Sequence, residues 1–453
     1  MRERSLAEVA RAVAGSVRGD DVRVTHVVTD SRQAGPGALF FALHGERTDG
    51  HLFVAEAFAA GAAAAVVRDR AVLEGPGVCV DDTGAALLAL AADERRGSDA
   101  TVVGVTGANG KTSTKDMTAA VLASRLRTHA SPNSFNNEVG LPMTLLGAPP
   151  DTEVVVAEMG ARRAGDVALL CEIARPRVVV VTNVGVAHME VFGSWETIVA
   201  ASAEPVDALP ADGVAILCAD DPVVAGFAAR TDARVVTFGR AERADVRAVD
   251  VVLGRDGAAA FELVAAGERT AVRLAIPGEH MVPNALAAIA VGTTLGVPLA
   301  AAAAAVSGAA VSRWRMETFE TSAGVRVLND AYNANPESVA AALRTARWMA
   351  GEGRLIAVLG AMAELGPIAA EEHERVGELA ARIRVDRLIT VGDGATAIAV
   401  AGVREGVEPE HVASYRDADG ALADVRAHAR PGDLVLVKAS RVVGLERLAE
   451  ALR

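Results

Sequence analysis

Six residues, Gly107-Ala108-Asn109-Gly110-Lys111-Thr112, carry the most specific chemical signal in the chain. They follow the β-branched run "TVVGVT" and precede Ser113 and a helix-compatible stretch. Glycines let backbone N–H groups approach phosphate oxygens closely, and a helix start adds positive partial charge. Lys111 would neutralise charge on the β- and γ-phosphates, and the Thr112 hydroxyl would sit on Mg²⁺. The spacing is shorter than GxxxxGK[ST], so the run is a variant phosphate loop. Its strand–turn–helix setting makes ATP the expected ligand.

The elements that position this loop repeat along the chain. From Thr101 the pattern is strand, turn, helix: "TVVGVTG", "EVVVAEMG", "RVVVVTNVG" and "GVAILCADD". Continuous apolar strands separated by helix-length segments predict a parallel sheet covered on both faces. Glu158, Asn183 and His188 then fall just past strand ends, the edge where open α/β sheets bind ligands. After "VSRWRME" come "RLIAVLGAM", "RLITVGDG" and "DLVLVKASR", which predict another α/β domain. Upstream, Leu6, Val9, Ala10, Val13 and Val17 recur at helical spacing, short strand-like runs follow, and polar "ADERRGSDA" (92–100) reads as a linker. The expectation is three α/β domains in series: 1–98, a central phosphate-loop domain with a parallel sheet over 99–312, and a Rossmann-like domain over 313–453.

Bulk properties exclude several classes. With 453 residues, 51% of them hydrophobic and 23% charged, the chain can bury several cores. A net charge of −13 and 3% aromatics argue against a nucleic-acid surface. Cys79, Cys171 and Cys218 lack metal-ligand or CxxC spacing, which fits a reducing cytoplasm. "MRERSLAEVA" has no apolar stretch after its charges and does not read as a secretion signal. Residues 285–311 are uncharged, but "TTLGVP" interrupts them; two buried helices are expected rather than a membrane span.

"TGANGKTST" resembles the nucleotide loop of the Mur ligases, the ATP-dependent amide-forming enzymes of peptidoglycan synthesis. The resemblance covers nearly the whole chain, through "DSRQAGPGALFFALHGERTDGHLFVAEAFAAGAAAAVV" (30–67), "SPNSFNNEVGLPMTLL", "AEMGARRAGDV", "TNVGVAHMEVFGS" and "NDAYNANPESVAAAL". The last is similar to the branch that joins D-alanyl-D-alanine to a UDP-N-acetylmuramoyl tripeptide. The resemblance implies a UDP-sugar-binding first domain and ATP-driven formation of an acyl phosphate, which the dipeptide amine attacks. The energy of the phosphate is then spent on an amide bond. It implies Mg²⁺ ligands at Glu158 and His188 beside Thr112, and a catalytic group of Lys111, Glu158, His188 and Asp330. It further implies ATP contacts from His280, Asn284, Arg315, Asp330 and Asn333. Substrate contacts are implied at Ser31, Arg32, Thr48, Asn136, Asn137 and Asn335. Small-molecule substrates, a cytoplasmic location and a monomer are expected. Lys438, Ser440 and Arg441, just past the last strand, either face the active site or sit in a solvated loop.

The chain departs from that family pattern at a lysine in IAxAKxE, whose carbamate would ligate a second Mg²⁺. Here "IVAASAEPV" puts Ser202 at that position. Glu204, two residues along a helix, should point nearly opposite. Cys218, Met281, Asn329 and Ala361 are milder departures. Three readings stay open: the dipeptide-adding ligase, a related ligase with a different carboxylate or amine, and a nucleotide-binding paralogue with impaired turnover.

Overall fold

Thr101–Thr106, Val154–Glu158, Val178–Val181 and Val214–Cys218 are almost wholly buried, as strands covered on both faces must be. In the computed structural model, which describes residues 1–45, 48–186 and 189–453, they form the middle of a nine-stranded sheet. The order runs Thr128–Ala130, Val154–Glu158, Thr101–Thr106, Val178–Val181, Val214–Cys218, Arg234–Gly239, Val246–Leu253, all parallel. An antiparallel pair, Ala258–Ala265 and Glu268–Pro277, closes one edge. The chain leaves Thr101–Thr106 toward one side and later returns on the other. The phosphate loop therefore sits at the point where strand order reverses, the usual ligand crevice of such sheets.

The uncharged stretch forms two helices, Met281–Thr294 and Leu299–Ser307, broken at Gly296 (φ +86°) and Pro298. The first is buried on nearly all sides and packs on the loop's own helix, Lys111–Ala123. A Cβ at Gly292 would stand 2.3 Å from Val121, so glycine sets that close approach. No helix among the described residues is long and apolar enough to cross a membrane.

The first domain has a five-stranded sheet, ordered Ser16–Arg18, Gly77–Cys79, Ala64–Val67, Ala38–Phe41, His26–Val28. Its opening helix stops at Ala12, and Val17, expected on that helix, lies in the edge strand instead. Gly15 forces the turn: a Cβ there would meet Val78 at 2.5 Å. The expected linker is also mostly helix, because Thr83–Arg96 runs through "ADERR". That polar tail holds the buried Arg4, whose guanidinium meets Asp93 and Glu94 at 2.6 Å each. The same helix packs on Gly140–Gly147 and Asp166–Ala174, so one core spans the first sheet and the flank of the central one.

The third sheet runs Glu317–Glu320, Arg326–Asn329, Leu434–Lys438, Leu355–Gly360, Arg387–Val391, Val412–Tyr415, parallel after the first pair. Residues at the C-terminal edges of the central and third sheets line a single cleft of about 1640 Å³.

Candidate active site

Two glycines shape the phosphate loop. Gly107 (φ +134°) would put a Cβ 2.0 Å from Thr182 Oγ1, and Gly110 (φ +78°) one 2.4 Å from Asn284 Oδ1. The loop is held from behind by its neighbour strand: Asn183 Oδ1 accepts the Asn109 N–H at 2.8 Å, and Thr182 Oγ1 donates to the Asn109 carbonyl at 2.7 Å. Asn284 is buried and accepts from Thr114 Oγ1 at 3.2 Å, beneath the helix start. Lys111 lies folded on its own loop, donating to the carbonyls of Gly107 (2.7 Å) and Ala108 (3.3 Å). Burial lowers its pKa, the Arg315 charge adds to that, and Glu158 opposes. An anion entering the loop would find a cation whose hydrogen-bond partners, among the described residues, are neutral carbonyls.

Glu158 ends its strand 1% exposed, with both oxygens engaged. Thr112 Oγ1 donates to one at 2.8 Å and Asn136 Nδ2 to the other at 2.8 Å. Thr112 Oγ1 also lies 2.8 Å from Ser134 Oγ, which accepts from Arg315 Nη2 at 2.9 Å. A chain of hydrogen bonds thus joins a third-domain arginine to the buried carboxylate. Arg315 Nε is buried without a partner among the described residues, and its guanidinium stacks 4.1 Å from the Tyr332 ring centre. Lys115, 2% exposed, fixes this wall by donating to the carbonyls of Ser131 (2.8 Å) and Asn133 (2.9 Å). Its neighbour Asp116 accepts from Ser312 N and Oγ at 2.7 and 2.8 Å, tying the loop helix to the inter-domain segment.

From the third domain, Asn335 Nδ2 donates to Asn109 Oδ1 at 2.7 Å, and Glu337 accepts from Asn109 Nδ2 at 3.2 Å. Asn335 also caps the helix Pro336–Ala350 through Ser338, with Pro at its first position. Asp330 pairs with Lys438 Nζ at 2.5 Å and accepts the Met316 N–H at 3.1 Å. Lys438 is 2% exposed, which removes the solvated-loop reading for it. It also donates to the carbonyl of Asn333, whose side chain is exposed on the cleft. Ser440 accepts from the Ala363 N–H at 2.9 Å. His280 is half-buried on the same cleft; burial lowers its pKa, Asp330 opposes this and Lys438 reinforces it.

Models of Mur ligase domains match the chain in series: the "Mur ligase family, catalytic domain" over 23–104, the middle domain over 105–292 and the glutamate ligase domain over 314–441. The UDP-N-acetylmuramoyl-tripeptide–D-alanyl-D-alanine ligase of Mycobacterium tuberculosis H37Rv is 43% identical, covering 100% of this chain and 98% of its own. The chain belongs to the Mur ligase family. The enzyme of the same name from Bacillus subtilis is 37% identical over 99% of this chain and 97% of its own. A crystal structure of MurF from Acinetobacter baumannii superposes with TM-score 0.89 at 30% identity, covering 100% and 99% of the two chains. That of the Thermotoga maritima MurF ligase in complex with ADP gives 0.81 at 29%, covering 95% and 97%.

Against the Mur ligase pattern, Ser202 does not reach the cleft. It bonds back to the Ile198 carbonyl at 2.8 Å, inside the helix Trp195–Asp207. Glu204 points elsewhere, accepting the N–H groups of Gly165 (2.6 Å) and Ala168 (2.9 Å) at the start of Asp166–Ala174. His188 lies outside the described residues. Among the described residues no group of three His, Cys, Asp or Glu is arranged to hold a metal. Asn137 lines the cleft, and its Oδ1 accepts the Gly140 N–H at 2.9 Å where the helix Gly140–Gly147 begins. Ser31, Arg32 and Thr48 do not join them. Ser31 is buried in its own turn, Thr48 is exposed, Arg32 is chelated by Asp30 at 2.9 and 2.7 Å, and among the described residues the first domain gives the cleft only Thr29. Sequence reasoning missed Ser134, Lys115 and Asp116, because neutral hydroxyls and helix charges carry no spacing that marks them.

Proposed function

We propose that this Mur ligase joins D-alanyl-D-alanine to a UDP-N-acetylmuramoyl tripeptide at the expense of ATP, in peptidoglycan precursor synthesis. The end-to-end similarity to ligases of that name supports the substrates. The observation that carries the chemistry is the bonded chain from Arg315 through Ser134 and Thr112 to Glu158, which spans two domains around one phosphate loop.

The γ-phosphoryl group passes from ATP to the terminal carboxylate, ADP leaves, and the acyl phosphate forms. The dipeptide nitrogen then bonds to the acyl carbon, loses a proton, and the C–O bond to phosphate breaks. Two anions must meet in the first step, so local positive charge decides its rate. Lys111, from within the loop, and Arg315, bonded to Ser134 beside Thr112, supply it. The Gly107–Thr112 backbone and the helix start bind the phosphates. Thr112 and Glu158 offer the hard oxygen donors that suit Mg²⁺ and are the residues that would hold it. When bound, the ion would screen phosphate from carboxylate. Asn136 keeps Glu158 oriented, and Asp330, fixed by Lys438, orients the inter-domain segment through Met316 N. The enzyme is expected to act in the cytoplasm as a monomer.

Ser202 favours a second reading, nucleotide binding with weakened turnover, since it offers no anion to the cleft. Phosphate release with ATP, Mg²⁺, the UDP-muramoyl tripeptide and D-alanyl-D-alanine tests both. Dipeptide-dependent release lost in Lys111→Ala is expected. ADP binding without dipeptide-dependent release would overturn the ligase reading in favour of the second.

A further inference from the structure

Almost every cation on the cleft wall is already committed. Lys111 and Arg315 serve the phosphate loop. Lys438 pairs with Asp330, Arg441 with Glu446 at 3.0 Å, and Arg313 with Glu450 at 2.7 Å. Arg162 and Arg163 differ. Both are exposed on the wall, and among the described residues neither side chain has a hydrogen bond or ion pair. In a chain of net charge −13, whose cleft also carries Glu138, Asp166 and Glu337, two unpaired guanidinium groups side by side are a local reversal of sign.

Their backbone is not loose. The N–H groups of Arg162 and Arg163 both donate to Asp166 Oδ2, at 2.9 and 2.7 Å, and Glu204 holds the next turn. Upstream, a Cβ at Gly160 would stand 2.9 Å from Asn136, the residue bonded to Glu158. The arginine pair is thus in fixed register with the carboxylate beside which the reacting group must lie. Phe135 and Leu169, 43% and 38% exposed, add apolar surface to the same wall.

We propose that Arg162 and Arg163 bind the non-reacting carboxylates of the acid substrate's peptide, with Phe135 and Leu169 against its aliphatic stems. The inference rests on the ligase reading above. If the terminal carboxylate lies at the phosphate loop, earlier residues fall back at about 3.5 Å each along the wall. Guanidinium forks match carboxylates bidentately, and they select acidic peptides over amidated ones. The nucleotide diphosphate is the other anion that this pair could meet.

Calorimetric titration of the full chain separates these sources, using UDP-N-acetylmuramoyl tripeptide, peptide-free UDP-N-acetylmuramic acid, and ADP. Each of Arg162→Ala and Arg163→Ala is expected to raise the tripeptide Kd roughly tenfold, as loss of a charge-assisted bond does. Affinity for ADP and the peptide-free nucleotide should hold, and Arg→Lys should restore part of the loss. Equal weakening of the peptide-free nucleotide would overturn the peptide assignment in favour of the diphosphate. An unchanged tripeptide Kd in the double variant would overturn the site. A parent chain that binds ADP but not the tripeptide would overturn the ligase reading and this inference together. Both residues are exposed, so unchanged melting temperatures are expected and check that the variants fold.

Discussion

At the scale of single residues, the phosphate loop is fixed by what it excludes. Gly107→Ala would drive a methyl into Thr182 Oγ1 from a backbone conformation that disfavours any side chain. A stability loss of about 1–3 kcal/mol is expected from the overpacking, and nucleotide affinity should fall by roughly a hundredfold as the loop shifts. Denaturant melts and ADP titration check both, and wild-type affinity would refute the steric account. Ser202 tests the opposite case, a missing group. Its hydroxyl is spent on Ile198, so Ser202→Lys should raise dipeptide-dependent phosphate release at least tenfold, by analogy with restoring an electrostatic group at a transition state. The gain should depend on added bicarbonate, because the lysine must take up CO₂ to become an anion. Equal rates with and without bicarbonate would show that no carbamate forms there. The loop glycines, Lys111 and Glu158 were readable because their local conformation or strand-end position announces them. Asn183 was readable in the same way, and it holds the loop through Asn109 N–H; Ser134 was not, because a neutral hydroxyl outside any strand end gains its role only when another element folds against it.

Elements show the same division. The parallel strands were legible as Val-rich runs, and the break at Gly296 and Pro298 announced two helices. The end of the first helix was not, since Gly15 is demanded by Val78, more than sixty residues away in sequence. Glu204 was expected to point away from Ser202, but its partner, the start of Asp166–Ala174, could not be read from spacing. A carboxylate accepting two N–H groups there caps the helix and complements its dipole, so Glu204→Ala should cost about 1–2 kcal/mol in urea denaturation. A second element-level device lies in the third domain. Asp424 accepts Arg387 at 2.6 Å through both oxygens and Tyr415 OH at 2.7 Å. Burial alone would push its carboxyl up; the bonds from Arg387 and Tyr415 outweigh this and hold it below the usual range. Its stabilisation is therefore complete above the unfolded carboxyl value of about 4 and is lost as pH falls through the lower folded value. Asp424→Asn, which strands a buried guanidinium, should lose about 3–5 kcal/mol at pH 7. The gap from the parent should narrow below about pH 4; a constant gap would mean that Asp424 does not titrate with folding.

For the whole molecule, three repeating strand–helix blocks made the domain order legible, while the contacts between blocks were hidden. The segment that looked like a linker is the helix that carries the shared core, its charged tail neutralising Arg4 rather than facing water. The third domain shares a buried apolar cluster with the second, through Met316, Leu343 and Met349, and polar contacts add to it. Asn335 bonds Asn109, Ser312 bonds Asp116, and Trp348 Nε1 donates to the Gly254 carbonyl at 2.8 Å. Such polar contacts are individually worth about 1 kcal/mol, so removing them should loosen the seating of the third domain without unfolding it. The double variant Asn335→Ala, Trp348→Phe removes two of them, at the two ends of the helix Pro336–Ala350, and alters no residue of the phosphate loop. Without nucleotide its radius of gyration by small-angle scattering should rise above the parent's. ADP affinity, set mainly within the central domain, should change little. Turnover should fall roughly tenfold, because Arg315 must be carried to the loop by the moving domain. If scattering and turnover both stay at parental values, the arrangement is held by something other than these bonds. If turnover falls with unchanged scattering, Asn335 acts directly on the phosphate loop through Asn109, and closure is not the step it controls.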